Sequence, residues 1–329
     1  MRYKTALIGC GYWGQILLRN LLAHDGFSVA AICDRNSENR AKAQAHVPQA
    51  IIVASPESFF DDPAIQVLVI AVQANGHGEL VNRALLRGKH VFVEKPFVTS
   101  GKSAEAHARL AREKGRIVLV DHTFLFAPEY LAMKRAIEIG AIGKVLHIHS
   151  TRADFGLFQA DVGILLHLFY HDAYMFLDLM KNGRLESAQA SSSVHIVPGL
   201  EDVLNFHGRF ESGETVTSYV SMLFPEKYRH LSVTGTDGIL FWEDAPRKRL
   251  GLYHRHAMLN ESGRRVIHSG SGEPTLLEAS GEPAVCAIVK HFHDCLEGIS
   301  PPICDAARAV EVVKFVEQVA EIARRRDRF

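Results

Sequence analysis

The chain has 329 residues, more than one ordinary hydrophobic core supports and enough for two domains. Apolar residues make up 47% of the sequence and charged residues 22%, a balance that excludes disordered, collagen-like and disulfide-scaffold proteins. The 37 Lys and Arg residues balance the 37 Asp and Glu residues, so no net charge attracts nucleic acid or an anionic membrane.

The cysteines and the hydropathy indicate the kind of cellular compartment in which the protein is expected. Five widely spaced cysteines without a CxxC pair predict neither a disulfide framework nor a thiolate metal site. No run reaches the roughly 18 consecutive apolar residues of a membrane helix, and the apolar start of the chain lacks a small-residue cleavage site. We therefore expect a soluble, cytoplasmic protein that is not built around a metal.

The first third of the chain alternates apolar strands with helical patterns. Helices are predicted near residues 13–23, 38–45, 78–86 and 103–113, and strands over residues 3–8, 28–33, 51–53, 67–72, 90–94 and 117–120. Continuous apolar strands separated by helices indicate a parallel sheet that is covered on both faces. This region therefore predicts an α/β, doubly wound domain.

The rest of the chain has a different rhythm. A helix near residues 128–139 and a strand over 145–151 precede a longer helix near 163–180. Alternating strands fill most of 185–253, and two further helices close the chain near 283–297 and 306–325. This pattern predicts an α+β domain with a large, mainly antiparallel sheet, which gives domains at 1–122 and 123–329.

A glycine-rich motif lies between the first strand and the first helix. The sequence GCGYWG, residues 9–14, matches G-x-G-x-x-G. Gly9 permits a tight turn, Gly11 lets the backbone approach a pyrophosphate, and Gly14 lets the helix pack on the strand. The helix N-terminus, where Tyr12 and Trp13 stand, offers N–H groups to the phosphates. The context predicts a Rossmann dinucleotide-binding domain.

The end of the second strand bears on the choice of cofactor. Asp34 follows Gly14 by twenty residues, where a carboxylate accepts hydrogen bonds from the adenosine ribose. A carboxylate also repels the 2′-phosphate of NADP, so Asp34 favours NAD. The adjacent Arg35 would pair with that phosphate if Asp34 turned away, which leaves NADP as the alternative.

Longer motifs resemble a known family over essentially the whole chain. These are GCGYWG, GKHVFVEKP over residues 88–96, DHTFLFAPEY over 121–130 and GAIGKVLHIHS over 140–150. Together they resemble the glucose–fructose oxidoreductase / inositol dehydrogenase / MocA family of NAD(P)-dependent oxidoreductases. The segment FGLFQADVGILLHLFYHD, residues 155–172, is similar to a subgroup that acts on sugars of nucleotide-sugar pathways, the nucleotide-sugar 3-dehydrogenases.

The resemblance assigns expected roles near the cofactor. The lysine of EKP, Lys95, would contact the reacting hydroxyl, where an ammonium stabilises a developing alkoxide. Glu94 would reach the cofactor. The far side of the cofactor would be lined by the loop after the strand VLVIAV, with Ala71, Val72, Gln73 and His77. The family often has proline in place of Gln73.

The family's acid/base histidine corresponds to His171, and here the chain departs from the pattern. Imidazole titrates near neutrality and suits proton transfer to or from a hydroxyl. The family places an aspartate four residues earlier, where this chain has His167. A carboxylate would raise the pKa of His171, whereas a second imidazole would not. Three interpretations of this change remain open: an active site with altered chemistry, a site that binds its ligands without turnover, and a metal ion held by the two histidines.

Other polar residues complete the expected substrate site. Asp172, Asp161 or Asp154 would supply the missing carboxylate from another direction. The candidates for substrate contacts are Lys95, Arg152, Asp154, Gln159, His171 and Asp172.

The sequence thus predicts an NAD(P)-dependent oxidoreductase acting on a secondary alcohol of a sugar, polyol or nucleotide-linked sugar. Its expected catalytic residues are Lys95, His171 and His167. The resemblance further implies a homodimer or homotetramer that forms through the C-terminal sheet. The alternative is a non-catalytic sensor of the same fold that uses the dinucleotide as a signal, and the change at His167 motivates it.

Overall fold

The structure is a computed structural model that describes residues 2–156, 158–181, 183–259, 266–270 and 272–326. The described residues form two compact units, one within Met1–Phe126 and Pro283–Lys314, the other within Ala127–Glu282 and Phe315–Phe329. None of the described helices has the length and apolar character needed to cross a membrane. The division of the sequence at 122/123 stays a prediction.

The described strands are β1 (Tyr3–Ile8), β2 (Phe27–Cys33), β3 (Ile51–Val53), β4 (Val67–Ile70), β5 (His90–Val93), β6 (Val118–Val120), β7 (Val145–Ala153), β8 (Leu185–Ser193), β9 (Val203–Phe210), β10 (Thr215–Ser221), β11 (Tyr228–Gly235), β12 (Ile239–Ala245), β13 (Arg249–Tyr253), β14 (Arg255–Leu259), β15 (Val266–Gly270) and β16 (Thr275–Leu276). The described helices are α1 (Tyr12–Ala23), α2 (Ser37–His46), α3 (Glu57–Asp61), α4 (His77–Leu86), α5 (Gly101–Glu113), α6 (Pro128–Glu138), α7 (Tyr170–Leu179), α8 (Ala284–Leu296) and α9 (Ala306–Arg326).

The first unit contains the predicted parallel sheet. Its six strands run in the order β3-β2-β1-β4-β5-β6, and every pair is parallel. All four residues of β4 are buried, as the wholly apolar sequence of a central strand requires. The strand order reverses between β1 and β4, and the carboxyl edge beside such a switch point is where doubly wound sheets bind ligands.

Helix α8 packs with the first unit although it comes late in the chain. The ring of Phe292 stacks on Phe27 of β2 with a centroid distance of 5.9 Å and meets Phe92 of β5 edge-on at 5.6 Å. Buried aromatic rings contribute a large share of the stabilisation of a hydrophobic core. The unit is therefore built from two separate segments of the chain.

The second unit contains an eight-stranded sheet in the order β16-β13-β12-β11-β7-β10-β9-β8. Within this sheet, β7 and β10 are the only parallel pair among the strand pairs that the structure describes, so the expected mainly antiparallel sheet is confirmed. Apolar residues on one face pack against the helices; Phe169, for example, meets Phe206 of β9 edge-on at 5.4 Å.

Several local features differ from the sequence prediction; helix α3 and strands β14 to β16, for example, were not predicted. The segment ESAQASSSVHIV, residues 186–197, predicts one continuous strand, but the strand ends at Ser193. The Asp202 carboxylate accepts hydrogen bonds from the backbone N–H groups of His195 and Ile196 and so forms a turn. The helix expected from residue 163 begins with a π-helical turn, Leu165–Phe169, before it continues as α7. π-Turns inside α-helices are frequent at functional sites.

Candidate functional site

The glycine-rich loop has the geometry that a pyrophosphate requires. Gly9 has φ +89°, and a Cβ there would lie 2.3 Å from the carbonyl oxygen of Ala71. A Cβ on Gly14 would lie 2.1 Å from the carbonyl oxygen of Gly9, so neither position accepts a side chain. A Cβ on Gly11 would meet nothing within 4 Å, so space is open outside that residue.

The start of α1 faces the same space. Gly11 is the N-cap residue and no side chain caps the helix, which leaves the first N–H groups and the positive end of the helix dipole for an anion. Tyr12 is 80% exposed, whereas Trp13 is half-buried. These residues fit the phosphates of a dinucleotide.

Asp34 is held beside the loop. Its carboxylate accepts hydrogen bonds from the backbone N–H of Cys10 at 2.7 Å and of Asn36 at 2.8 Å, and from the side-chain amide of Asn39 at 3.2 Å. Three donors keep the carboxylate from turning away, while Arg35 is exposed. A carboxylate fixed in this position fits the ribose of NAD and would repel the 2′-phosphate of NADP.

The loop after β4 closes the other side of the glycine turn. The carbonyl of Ala71 and a methyl group of Val72 lie directly against Gly9, while Gln73 is exposed. His77 is buried, with one ring nitrogen 3.0 Å from the carbonyl oxygen of Val72 and the other 2.7 Å from that of Pro96. His77 thus joins the loop to the segment that follows β5.

Lys95 stands beside two carboxyl groups at the carboxyl edge of the sheet. Glu94 follows β5 and Asp121 follows β6, and these two strands are parallel neighbours. Burial raises the pKa of Glu94 well above its usual value, the charge of Asp121 raises it further, and the Lys95 ammonium opposes both. The indole N–H of Trp13 donates to Asp121 at 2.8 Å. Neither Asp121 nor its bond to Trp13 was predicted.

In the second unit, the π-turn and α7 carry the two histidines. His167 lies within the π-turn and His171 in the first turn of α7; both are half-buried. Nδ1 of His171 lies 3.0 Å from the hydroxyl of Tyr174, which is fully buried. Tyr174 was not predicted, although a tyrosine three residues after a histidine is on the same side of a helix.

Asp172 faces the interior. It is 1% exposed, and its carboxylate accepts hydrogen bonds from the hydroxyls of Ser150 and Ser218, both at 3.0 Å, and from Arg152 at 3.1 Å. Arg152 is itself 6% exposed. These two predicted substrate contacts therefore pair with each other and attach α7 to the sheet.

The remaining predicted contacts lie in the loop after β7. Asp154 and Gln159 are half-buried. Phe155 is 67% exposed, and its ring meets Phe158 edge-on at 6.0 Å. Among the residues that the structure describes, no three His, Cys, Asp or Glu side chains are grouped so that they could hold a metal ion.

Comparison with known proteins identifies the family. A family model described as "Oxidoreductase family, NAD-binding Rossmann fold" matches residues 3–122, and one described as "GFO/IDH/MocA C-terminal domain" matches residues 130–241. The uncharacterized oxidoreductase YdgJ of Escherichia coli is 26% identical, with 98% of this chain and 97% of that protein covered. The scyllo-inositol 2-dehydrogenase (NAD(+)) of Bacillus subtilis is 24% identical, with 91% and 88% covered.

A solved structure shares the fold over the same length. UDP-N-acetylglucosamine 3-dehydrogenase GnnA from Acidithiobacillus ferrooxidans has a TM-score of 0.82 at 18% identity, with 98% of each chain covered. The doubly wound sheet, the open glycine turn and the fixed Asp34 have the features of an NAD-binding domain, and the matched family models are those of oxidoreductases. The chain belongs to the glucose–fructose oxidoreductase / inositol dehydrogenase / MocA family, as the sequence motifs predicted.

Proposed function

We propose that this oxidoreductase interconverts a secondary alcohol and a ketone on a sugar, a polyol or a nucleotide-linked sugar, with NAD as its cofactor. The observation that supports it most is the pairing of an open Gly11 with an Asp34 held by three donors, which suits the pyrophosphate and ribose of NAD. Family relatives named as dehydrogenases of scyllo-inositol and D-apiose support the substrate class.

The chain's own residues have distinct parts in this reaction. NAD, when bound, accepts or returns the hydride. The Lys95 ammonium stabilises the negative charge that develops on the reacting oxygen as the C–H bond breaks. His171 removes the hydroxyl proton during oxidation and returns it during reduction.

Tyr174 takes over the orienting role that the family gives to an aspartate. With His167 at the aspartate position, the hydrogen-bond partner at Nδ1 of His171 is the Tyr174 hydroxyl. A partner at Nδ1 fixes the ring and its tautomer, so that Nε2 is presented to a hydroxyl. His167 remains a proposed catalytic residue near His171. The site is active, and its proton transfer differs from the family pattern because an imidazole replaces the carboxylate.

Substrate recognition is assigned to the loop after β7. Asp154 and Gln159 offer polar groups, and the exposed ring of Phe155 offers an apolar face to the C–H groups of a sugar. Because Arg152 and Asp172 are buried and bound to each other, they hold α7 and act on substrate through His171.

The open face of the eight-stranded sheet is the proposed contact between subunits. This face presents half-buried hydroxyl and imidazole side chains, among them His147, His149, Thr217, Tyr219 and His230. We infer a homodimer or homotetramer that forms through it. All five cysteines are free thiols, which fits a reducing cytoplasm.

Single-turnover absorbance of the nicotinamide tests the proposal. Enzyme and NAD or NADH are mixed near stoichiometry with free sugars, inositols, and UDP- or GDP-linked sugars. A redox change with one compound is the expected result. Tight NADH binding without a redox change across the panel would contradict the proposal and favour the sensor.

A further inference from the structure

The carboxyl ends of the parallel strands in the first unit form one row. The backbone N–H groups of Gly9, Ala71, Glu94 and Asp121 each donate to the last carbonyl of the neighbouring strand, at distances between 2.8 and 2.9 Å. The row follows the strand order β1, β4, β5 and β6. Gly9 of the glycine-rich loop and Asp121 are therefore three strand spacings apart, about 14 Å along the edge of the sheet.

The side chains of Trp13 and Asp121 bridge this distance. Trp13 lies in the first turn of α1, two residues after the N-cap Gly11, and helical side chains lean toward the N-terminus. Its indole N–H donates to an oxygen of Asp121 at 2.8 Å. The half-buried indole therefore crosses the carboxyl ends of β4 and β5, which lie between the glycine-rich loop and β6.

Asp121 is itself held firmly. The residue is 1% exposed, and its second carboxyl oxygen accepts from the hydroxyl of Thr123. Its backbone N–H donates to the carbonyl of Val93 at the end of β5. Because both carboxyl oxygens and the backbone are engaged, the sheet sets the position of the indole N–H of Trp13.

One half of a bound dinucleotide belongs on this side of the sheet. A doubly wound sheet binds its dinucleotide across the point where the strand order reverses, here between β1 and β4. Asp34 follows β2 and suits the adenosine ribose, so the nicotinamide half extends over β4 and β5. Trp13 supplies a flat aromatic ring there. Rings stack on such a face, and the positive charge of oxidised nicotinamide adds cation–π attraction.

We propose that the indole of Trp13 is the stacking surface for the nicotinamide ring, and that Asp121 is a positioning residue that holds this indole in place. The inference rests on the proposed cofactor site at the glycine-rich loop and adds the group that positions the nicotinamide half. A ring stacked there lies at the same edge of the sheet as Lys95, where the reacting oxygen is expected.

A comparison of two ligands tests the stacking without any sugar. ADP-ribose has the adenosine, the pyrophosphate and the second ribose of NAD but no nicotinamide. Trp13→Leu removes the aromatic face and is expected to raise the NAD dissociation constant about tenfold or more, with that of ADP-ribose nearly unchanged. Titration calorimetry measures both constants. The matched control is Trp242→Phe, which alters the other tryptophan, in β12 of the second unit, and is expected to change neither constant.

Two substitutions test the positioning role of Asp121. Asp121→Ala removes the acceptor of the indole N–H and is expected to weaken NAD binding while ADP-ribose still binds. Asp121→Asn keeps an amide oxygen that accepts from the indole, and it is expected to restore most of the NAD affinity. Loss of NAD binding in Asp121→Ala without this recovery in Asp121→Asn, or no loss in either variant, would remove the positioning role.

Indole fluorescence tests the contact itself. In a Trp242→Phe background, Trp13 is the remaining tryptophan. Oxidised nicotinamide does not absorb the indole emission, so NAD quenches it only by contact with the ring. We expect NAD to quench most of the Trp13 emission and ADP-ribose to leave most of it.

The outcomes separate this inference from the proposed function. Equal quenching by the two ligands, or equal effects of Trp13→Leu on the two dissociation constants, would overturn the inference while ADP-ribose binding upholds the cofactor site. Failure of the native protein to bind ADP-ribose would overturn the proposed cofactor site and the inference with it. A selective loss of NAD binding together with selective quenching supports the inference even if no sugar is turned over.

Discussion

The hydroxyl of Tyr174 lies 3.0 Å from Nδ1 of His171, one turn further along α7. Tyr174→Phe keeps the buried ring and removes the hydroxyl that contacts His171. We expect kcat to fall by about ten- to a hundredfold while KM changes little, because a misoriented imidazole transfers the proton poorly. Steady-state kinetics across pH with an active sugar measures the effect, and the pH profile is expected to move with it.

Tyr130→Phe is the matched control for this change. The Tyr130 hydroxyl donates to the carboxylate of Asp178 at 2.7 Å within the same unit. Its loss is expected to cost about 1 kcal/mol of stability and to leave kcat unchanged. Equal losses of kcat in both variants would show that Tyr174 acts only through folding.

Lys95→Met replaces the ammonium with an apolar chain of similar length. We expect hydride transfer to fall by at least about a thousandfold, since the developing negative charge loses its partner. NADH binding, followed by nicotinamide fluorescence, is expected to stay within a few-fold of the native value. Unchanged single-turnover rates would remove Lys95 from the reaction.

His167→Asp restores the carboxylate of the family pattern. A carboxylate near His171 raises the pKa of its imidazole. We therefore expect the acid limb of sugar oxidation, which needs a neutral imidazole, to move to higher pH. Activity that appears only in His167→Asp, with none in the native protein, would instead indicate a site that binds without turnover.

Asp34→Ala tests the choice of cofactor. The change removes both the ribose acceptor and the charge that repels a 2′-phosphate. We expect NAD to bind about tenfold more weakly, and the ratio of the NADP dissociation constant to the NAD dissociation constant to decrease. Titration calorimetry with both cofactors measures the ratio, and an unchanged ratio would show that Asp34 does not select the cofactor.

The sequence predicted the fold because its patterns are local. Wholly apolar runs such as β4 and a glycine motif between strand and helix require only neighbouring residues to be recognised. The packing of α8 on β2 was not predictable, because Phe27 and Phe292 are 265 positions apart and helical periodicity does not name a partner.

The candidate site was predictable only where a motif carries the chemistry. Gly9 and Gly14 have the tight turn and the close packing that the motif predicts, whereas their cofactor-binding role and that of Asp34 stay predictions. The bond of Trp13 to Asp121 joins residues 108 positions apart, so no spacing rule reveals it. Burial of Asp172 was missed because a charged residue beside a histidine suggests a site, whereas Ser150, Ser218 and Arg152 satisfy it inside the unit.

Two histidines make the first unit sensitive to acid. Burial lowers the pKa of His122 to about 3 and that of His90 to about 4, with Arg308 and Arg116 contributing less. An unfolded chain takes up these protons near the usual value of about 6.5. The stability that each neutral histidine contributes is therefore complete above this value and is lost progressively as the pH falls toward its folded pKa.

The linkage predicts a measurable difference for His122→Gln, which does not titrate. Between pH 7.5 and 5.0, the native protein is expected to lose about 2 kcal/mol more unfolding free energy than the variant. The raised pKa values of Glu94 and Asp121 act in the opposite direction, but they are common to both proteins and cancel. Urea unfolding followed by Trp13 fluorescence in a Trp242→Phe background measures the first unit. Equal losses in both proteins would mean that His122 is already charged in the folded state, because only a neutral imidazole gives this dependence.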